Sequence, residues 1–382
     1  MSNTMNKKRL AFFVTSSLIT GQCCKAQLPQ RNPTINDTLQ SVRISDDHRV
    51  TFSVFAPKAS EVTVGGDFTM GAPAAKLIKT DNGVWTYTTD PIPVDSYTYN
   101  FSIDGVNTLD NKSAEFKENP NGLFNYFIMP GKETDFFALR NVPHGRVESV
   151  LYHSASLNAE RRLHVYLPPG FENIKEKLPV LYLLHGGGDN DISWTGAAKA
   201  NLILDNLYAE GKLKNMIVVM PSGHTPVKGV FMGTGPEQDP FCQDVLRDII
   251  PFIEKTYPVS SRKEDRAIAG FSMGGVQTLN LALWNPDKFG YVCPMGTGYF
   301  PNSIKELDDK YSSVINNPAL NQFKLFYIGK GKDDQLTAMN CKAMLGLFDK
   351  HGVKYQYIEL PGAHSFVFTR RYLEFFAPML FR

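Results

Sequence analysis

The stretch Gly270-Phe271-Ser272-Met273-Gly274-Gly275 sets a serine between glycines two residues away on either side. A serine so placed serves as a nucleophile when the chain turns sharply there, because only small residues at those positions allow a turn tight enough to lift the hydroxyl clear. The apolar run at 267–269 precedes the motif and a helical pattern at 275–284 follows it, which is the strand-turn-helix setting required. G-x-S-x-G arises by chance in roughly one chain in seven of this length, so the setting carries the weight. The chemistry it fits is acyl transfer, the attack of an activated hydroxyl on a carbonyl carbon. In such a turn the Met273 backbone N–H, at a helix N-terminus, aims at the carbonyl oxygen under attack.

A hydroxyl needs a base, and on this kind of turn the acid and then the histidine follow the serine in the chain. Of the eight histidines only His351 and His364 do so. His351 closes a helical stretch before Gly352, where histidine commonly caps carbonyls. His364, in Pro361-Gly362-Ala363-His364-Ser365, comes directly after an apolar run at 355–360 and is the expected base. His224 also lies beyond a strand end but precedes the serine, which makes it a pocket or structural residue. The acid is expected in Lys332-Asp333-Asp334, after the run at 325–328. Spacing does not separate the two aspartates: one accepts the imidazole N–H and the other is expected to cap the following helix. His185-Gly186-Gly187-Gly188 offers a second oxyanion donor, the N–H of Gly187 or of Gly188, worth about 3 kcal/mol in the transition state; the plainer reading is an ordinary strand-to-loop turn. His185 itself is expected to hold that loop in shape. Trp194 could flank a bound ligand or simply pack. Phe231, Met232 and Phe241 are weaker candidates around a Gly- and Pro-rich stretch at 229–240 that could form a mobile rim.

The elements that must position these groups fall into two kinds. Between residues 50 and 128 apolar residues alternate with period two, as in Val50, Phe52 and Val54 or Tyr97, Tyr99, Phe101 and Ile103, with turn residues such as Asp104-Gly105 at the breaks. Half-buried strands without helical periodicity predict a small β-sandwich over 27–135. After a joint at 136–145, apolar runs at 180–184, 216–220, 267–269, 325–328 and 355–360 alternate with helical patterns at 199–210, 241–257, 275–284 and 337–350. That alternation predicts an α/β domain over 146–382 with a doubly wound, mainly parallel sheet, whose ligands bind beyond the carboxyl ends of its strands.

Lys7, Lys8 and Arg9 followed by an apolar run at 10–19 and small residues at Cys24 and Ala26 have the layout of a secretory signal peptide over 1–26, and the run is too short to span a bilayer. Cleavage after Ala26 removes four basic residues and no acidic one, changing the formal charge from +2 to −2. A nucleic-acid partner has no support in that balance. Lipid anchoring on Cys23 or Cys24 would want Gly or Ala immediately before the cysteine, where Gln22 and Cys23 stand, so soluble export, secreted or periplasmic, is the expectation. Cys242, Cys293 and Cys341 remain, an odd and widely spaced set that fits neither a disulfide framework nor a zinc site. Neither a metal nor a cofactor is expected.

These residues resemble carbohydrate esterase family one of the α/β-hydrolases, the group of feruloyl and acetylxylan esterases. The resemblance runs from about His144 to the C-terminus, through Val165-Tyr166-Leu167-Pro168-Pro169-Gly170, Leu183-Leu184-His185-Gly186-Gly187-Gly188, Trp194, the serine motif and Gly362-Ala363-His364-Ser365-Phe366. The family's acid lies in a G-x-x-D-x-L pattern, matched by Gly331, Asp334 and Leu336, so the resemblance favours Asp334 over Asp333. The chain departs from the family at Asn215 and at Thr369 before Arg370. Its first domain resembles the early-set immunoglobulin-like domains grouped with carbohydrate-binding module family 48, with Trp85, Tyr87 and Tyr97 expected in the core rather than as a sugar platform. The residues and the resemblance together imply a serine triad of Ser272, Asp334 and His364 with an oxyanion hole from Met273 and Gly187, and by their place in the chain Trp194, Gly188, His224 and Phe231 are the candidate substrate contacts. The implied reaction is hydrolysis of carboxylic esters on plant cell-wall polysaccharide, feruloyl esters of arabinoxylan first and acetylxylan second. The alternatives are another ester such as a siderophore lactone, acyl transfer to a sugar, or a glycan-binding protein without turnover.

Overall fold

The computed structural model describes residues 32–69, 72–119, 122–226 and 233–382. The expected signal peptide, and Phe231 and Met232, lie outside the described residues. Gln40–Arg382 form one compact unit, and the described residues before it carry a short helix, Ile35–Thr38.

Two antiparallel sheets make the sandwich. One orders Val42–Ile44, Val50–Phe55, Val84–Thr88 and Ile78–Lys79; the other orders Ala75–Lys76, Val62–Gly65, Ser96–Ile103, Gly122–Ile128 and Phe116–Asn119, with Val106–Thr108 paired to Ser96–Ile103. The period-two residues turn inward: Val50, Phe52, Val62, Val64, Tyr99 and Phe101 are buried together, each strand contributing alternate side chains to the space between the sheets. Asp104 and Gly105 both take positive φ, 48° and 83°, the tight hairpin that the dipeptide predicts. Trp85 and Tyr97 are core residues, and the Trp85 indole N–H donates to the Ala56 carbonyl at 2.9 Å.

Among the described residues the third sheet has eight strands: β1 (Arg146–Ser154), β2 (Ala159–Leu167), β3 (Val180–Leu184), β4 (Ile217–Pro221), β5 (Arg266–Phe271), β6 (Tyr291–Met295), β7 (Leu325–Gly331) and β8 (Gln356–Leu360). Their order is β1-β2-β4-β3-β5-β6-β7-β8, antiparallel through β4 and parallel from β4 onward. This is the α/β-hydrolase arrangement expected. Within β3 the residues alternate between two apolar layers, Val180, Tyr182 and Leu184 on one face and Leu181 and Leu183 on the other. Val276 and Leu279 of the helix Met273–Trp284 cover the first face. The helices Ala200–Ala209 and Phe366–Phe376 cover the second. β8 differs from expectation in being partly exposed, because it is the last strand of the sheet.

The helical pattern at 241–257 is split into Pro240–Asp244, a wide turn Val245–Ile249 and Ile250–Thr256. Pro251 lacks an N–H and its ring crowds the carbonyl four residues earlier, and a wider turn relieves both. Cys242, Cys293 and Cys341 are free and buried. Near the expected joint, Phe137 is buried in the layer that holds the helix Ala200–Ala209, and Asn206 of that helix donates to the carbonyls of Phe136 and Ala138 at 2.9 and 3.0 Å.

Candidate active site

β3 and β5 are neighbours whose following loops leave the sheet at the same edge, and the chain reverses its direction of winding between them, which opens a crevice. At the end of β5 Ser272 is held at φ 55°, ψ −111°, a conformation that non-glycine residues rarely adopt. The flanking glycines are needed on steric grounds. A Cβ on Gly270 would stand 2.1 Å from the Gly274 carbonyl oxygen, and one on Gly274 would stand 2.6 Å from the His185 carbonyl oxygen. The Ser272 N–H donates to the Met295 carbonyl at 3.0 Å and the Gly274 N–H to the His185 carbonyl at 3.2 Å, tying the turn to β6 and to the end of β3. Met273 opens the helix, so its N–H is among those that no helical carbonyl can accept.

His364 Nε2 lies 2.9 Å from Ser272 Oγ, and His364 Nδ1 lies 2.8 Å from Asp334 Oδ2. The His364 ring packs on Phe271 with centroids 4.5 Å apart. Asp334 has no solvent exposure, and its carboxylate also accepts the Thr337 N–H at 3.0 Å and the Thr337 hydroxyl at 2.7 Å. Burial pushes the carboxyl pKa up, but the hydrogen bonds from His364 and Thr337 outweigh it and hold the group below its ordinary value, as an anion. Asp333 is exposed, and its N–H donates to the Gly362 carbonyl. The cap on the next helix expected of the unused aspartate is therefore absent: Asp334 itself accepts the Thr337 N–H, since its buried carboxylate faces the helix start while Asp333 faces solvent.

A cavity of about 450 Å³ reaches Ser272 and His364 and is lined by Gly186, Gly187 and Gly188. Phe271, Leu336 and Phe366 give it apolar surface, and Asp67, Thr98, Lys117 and Tyr126 enter its wall from the sandwich. Asp67 accepts the Thr98 N–H, and crowding by surrounding protein pushes its carboxyl up to about 6 although the residue keeps a solvent-facing side. A smaller cavity of about 250 Å³, with Thr297, Phe300 and Asn340 in its wall, also touches Ser272 and Leu336. His185 is 1% exposed; it accepts the Gly223 N–H at Nε2 (2.8 Å), which leaves Nδ1 to donate to the Gly186 carbonyl (2.8 Å). Burial lowers its pKa to about 4, so the ring is neutral and joins the loops after β3 and β4.

The structure thus brings together Ser272, Asp334, His364, Met273, Gly187 and Gly188. Trp194 is not with them. It is 1% exposed inside the layer of the Phe366–Phe376 helix, edge-on to Phe366 at 6.3 Å, because a residue this large and apolar gains more from burial than from a cleft wall. His224 sits beside His185, ring centroids 5.3 Å apart, and the cavity walls do not include it. The sandwich residues of the wall carry no motif by which the sequence alone could mark them. The apolar wall residues Phe271, Leu336 and Phe366, by contrast, stand within sequence motifs. The arrangement can deprotonate a hydroxyl, direct it at a carbonyl and place backbone N–H groups against the resulting oxyanion.

A family model described as "Putative esterase" matches residues 154–368. The chain belongs to this esterase family. A second, Carbohydrate-binding module 48 (Isoamylase N-terminal domain), matches residues 39–122 of the esterase. The esterase is 34% identical over 358 residues to an endo-1,4-beta-xylanase/feruloyl esterase of Xylanibacter ruminicola, covering 89% of this chain and 46% of that one. It therefore spans about half of that relative's length. It is similar to a solved ferulic acid esterase at TM-score 0.53 and 25% identity, covering 63% of this chain and 98% of the other. The enterobactin esterase of Shigella flexneri shares the fold at TM-score 0.66 and 16% identity over 88% of this chain and 94% of its own. That coverage takes in the sandwich as well as the hydrolase sheet.

Proposed function

We propose that this esterase is a secreted serine hydrolase that cleaves hydroxycinnamoyl esters, feruloyl first among them, from arabinoxylan of the plant cell wall. The observation that carries the reading is the continuous chain of contacts from Ser272 Oγ through His364 to Asp334, 2.9 and 2.8 Å long. His364 takes the hydroxyl proton as Oγ attacks the ester carbonyl, and Asp334 stabilises the imidazolium that forms. The N–H groups of Met273 and Gly187 receive the oxyanion. Collapse of the tetrahedral intermediate releases the sugar alcohol, protonated by His364, and leaves the acyl group on Ser272; water deprotonated by His364 then frees the acid. Nucleophile, base and oxyanion donors all come from the chain, so the reaction calls on no cofactor.

An ester has an acyl and an alcohol side, and the two cavities that meet at Ser272 provide room for both. The apolar surface of Phe271, Leu336 and Phe366 suits a flat aromatic acyl group, which an acetyl group would leave largely uncovered. The relative whose name includes feruloyl esterase favours the same acyl group. Export is supported by the basic, apolar and small-residue order of residues 1–26, and we assign 27–135 to the sandwich, 136–145 to the joint and 146–382 to the hydrolase. Ser272→Ala should abolish turnover of methyl ferulate while circular dichroism stays unchanged; full activity would end the proposal. On matched xylo-oligosaccharides kcat/KM should be higher for the feruloylated than the acetylated ester. The reverse order would replace the acyl assignment, and transfer to an added sugar would replace hydrolysis.

A further inference from the structure

Lys117 lies on the sandwich strand Phe116–Asn119, yet it reaches both loops that the proposed chemistry depends on. Its Nζ stands 2.8 Å from Asp189 Oδ1, and Asp189 directly follows Gly186-Gly187-Gly188, its N–H closing that turn on the Gly186 carbonyl at 3.0 Å. The Asp189 side chain is 5% exposed, and Lys117 supplies the positive charge that compensates this buried carboxylate. The same Nζ lies 4.6 Å from the centre of the Phe366 ring, two residues past His364. Phe366 opens the helix Phe366–Phe376, and that helix is fastened to the sandwich a second time: Arg370 and Arg371 pair with Asp95 at 3.1 and 3.0 Å.

We infer that Lys117 is a positioning residue of the active site: by holding Asp189 and Phe366 at once it fixes the distance between the Gly187 N–H and His364. The sandwich then takes part in positioning the catalytic centre through this ammonium group, whatever it binds elsewhere. Donors of an oxyanion hole act only when aimed at the place where charge develops, so a slack glycine loop lowers the rate of acylation more than it weakens ground-state binding. The inference rests on Ser272 being the nucleophile.

The test compares Lys117→Met, which keeps the stem over Phe366 but removes the charge, with Lys117→Arg, which restores it, in the full chain. Substrates are para-nitrophenyl acetate, the smaller ester, and methyl ferulate; a fluorophosphonate probe reports Ser272 reactivity. Lys117→Met should lose about tenfold or more in kcat on both esters and in labelling rate, with KM within about twofold, while Lys117→Arg recovers most of the loss. Thermal melts identify any variant that is merely unfolded, and Lys117→Arg then decides alone: wild-type labelling supports the inference and a loss as deep as that of Lys117→Met overturns it. Unchanged kcat in a folded Lys117→Met, or a defect confined to KM for methyl ferulate, overturns it too. A wild-type enzyme that neither turns over nor takes the probe would overturn the Ser272 reading itself.

Discussion

Asp334 holds two neighbours at once, the imidazole of His364 and the first turn of the helix Ala338–Lys350 through Thr337, and every one of these bonds is made to the ionised form. Asp334→Asn keeps the shape but can present an N–H where a proton must be accepted, so the imidazole loses its tautomer and its counter-charge. In that variant kcat should fall by on the order of a thousandfold or more, and in Asp333→Asn it should stay within about twofold; steady-state rates on para-nitrophenyl acetate check both. Spacing alone could not choose between two adjacent aspartates, because one residue of slip at the start of a loop decides which carboxylate faces the histidine. The serine and the histidine were easier to name, each standing directly past a strand whose apolar run marks the sheet edge.

Where strands end, a single neutral ring joins two loops. His185, at the end of β3, accepts a hydrogen bond from the loop after β4, and a proton on Nε2 would face the Gly223 N–H head-on. Its folded pKa of about 4 lies below the unfolded value of 6.5. Between those limits the unfolded chain binds the proton and the folded chain does not, so this contribution is whole above pH 6.5, shrinks as pH falls, and is spent below pH 4. The loss amounts to about 3 kcal/mol. Urea midpoints at pH 7.5 and 4 should show a smaller acid loss in His185→Gln than in the wild type. At the same scale, the parallel strands were legible because burial on both faces leaves an unbroken apolar run. β6 was not, since Pro294 within it and Gly290 and Gly296 around it read as loop. The helix Phe366–Phe376 is not legible in the sequence because four phenylalanines and a tyrosine obscure its polar face.

Between sandwich and hydrolase the molecule is joined by charges that no local pattern announces, Asp95 and Arg370 being 275 positions apart. Arg370 is 2% exposed, and burial lowers its pKa to about 10 even beside Asp95; its guanidinium also donates to the Ala197 carbonyl at 2.6 Å and lies over Phe137. Removing Asp95 strands that charge, so Asp95→Ala should cost about 3–5 kcal/mol. Calorimetry should record one transition for sandwich and hydrolase in the wild type and a lower melting temperature in the variant; two separate wild-type transitions would contradict the coupling. The φ of 55° at Ser272 has its own consequence for such a molecule. A residue kept in so sparsely populated a conformation costs on the order of 1–3 kcal/mol, a burden that glycine at the same place would shed. A lineage no longer selected for turnover would thus gain robustness by discarding the proposed nucleophile, and inert descendants should outlast their active ancestors on heating.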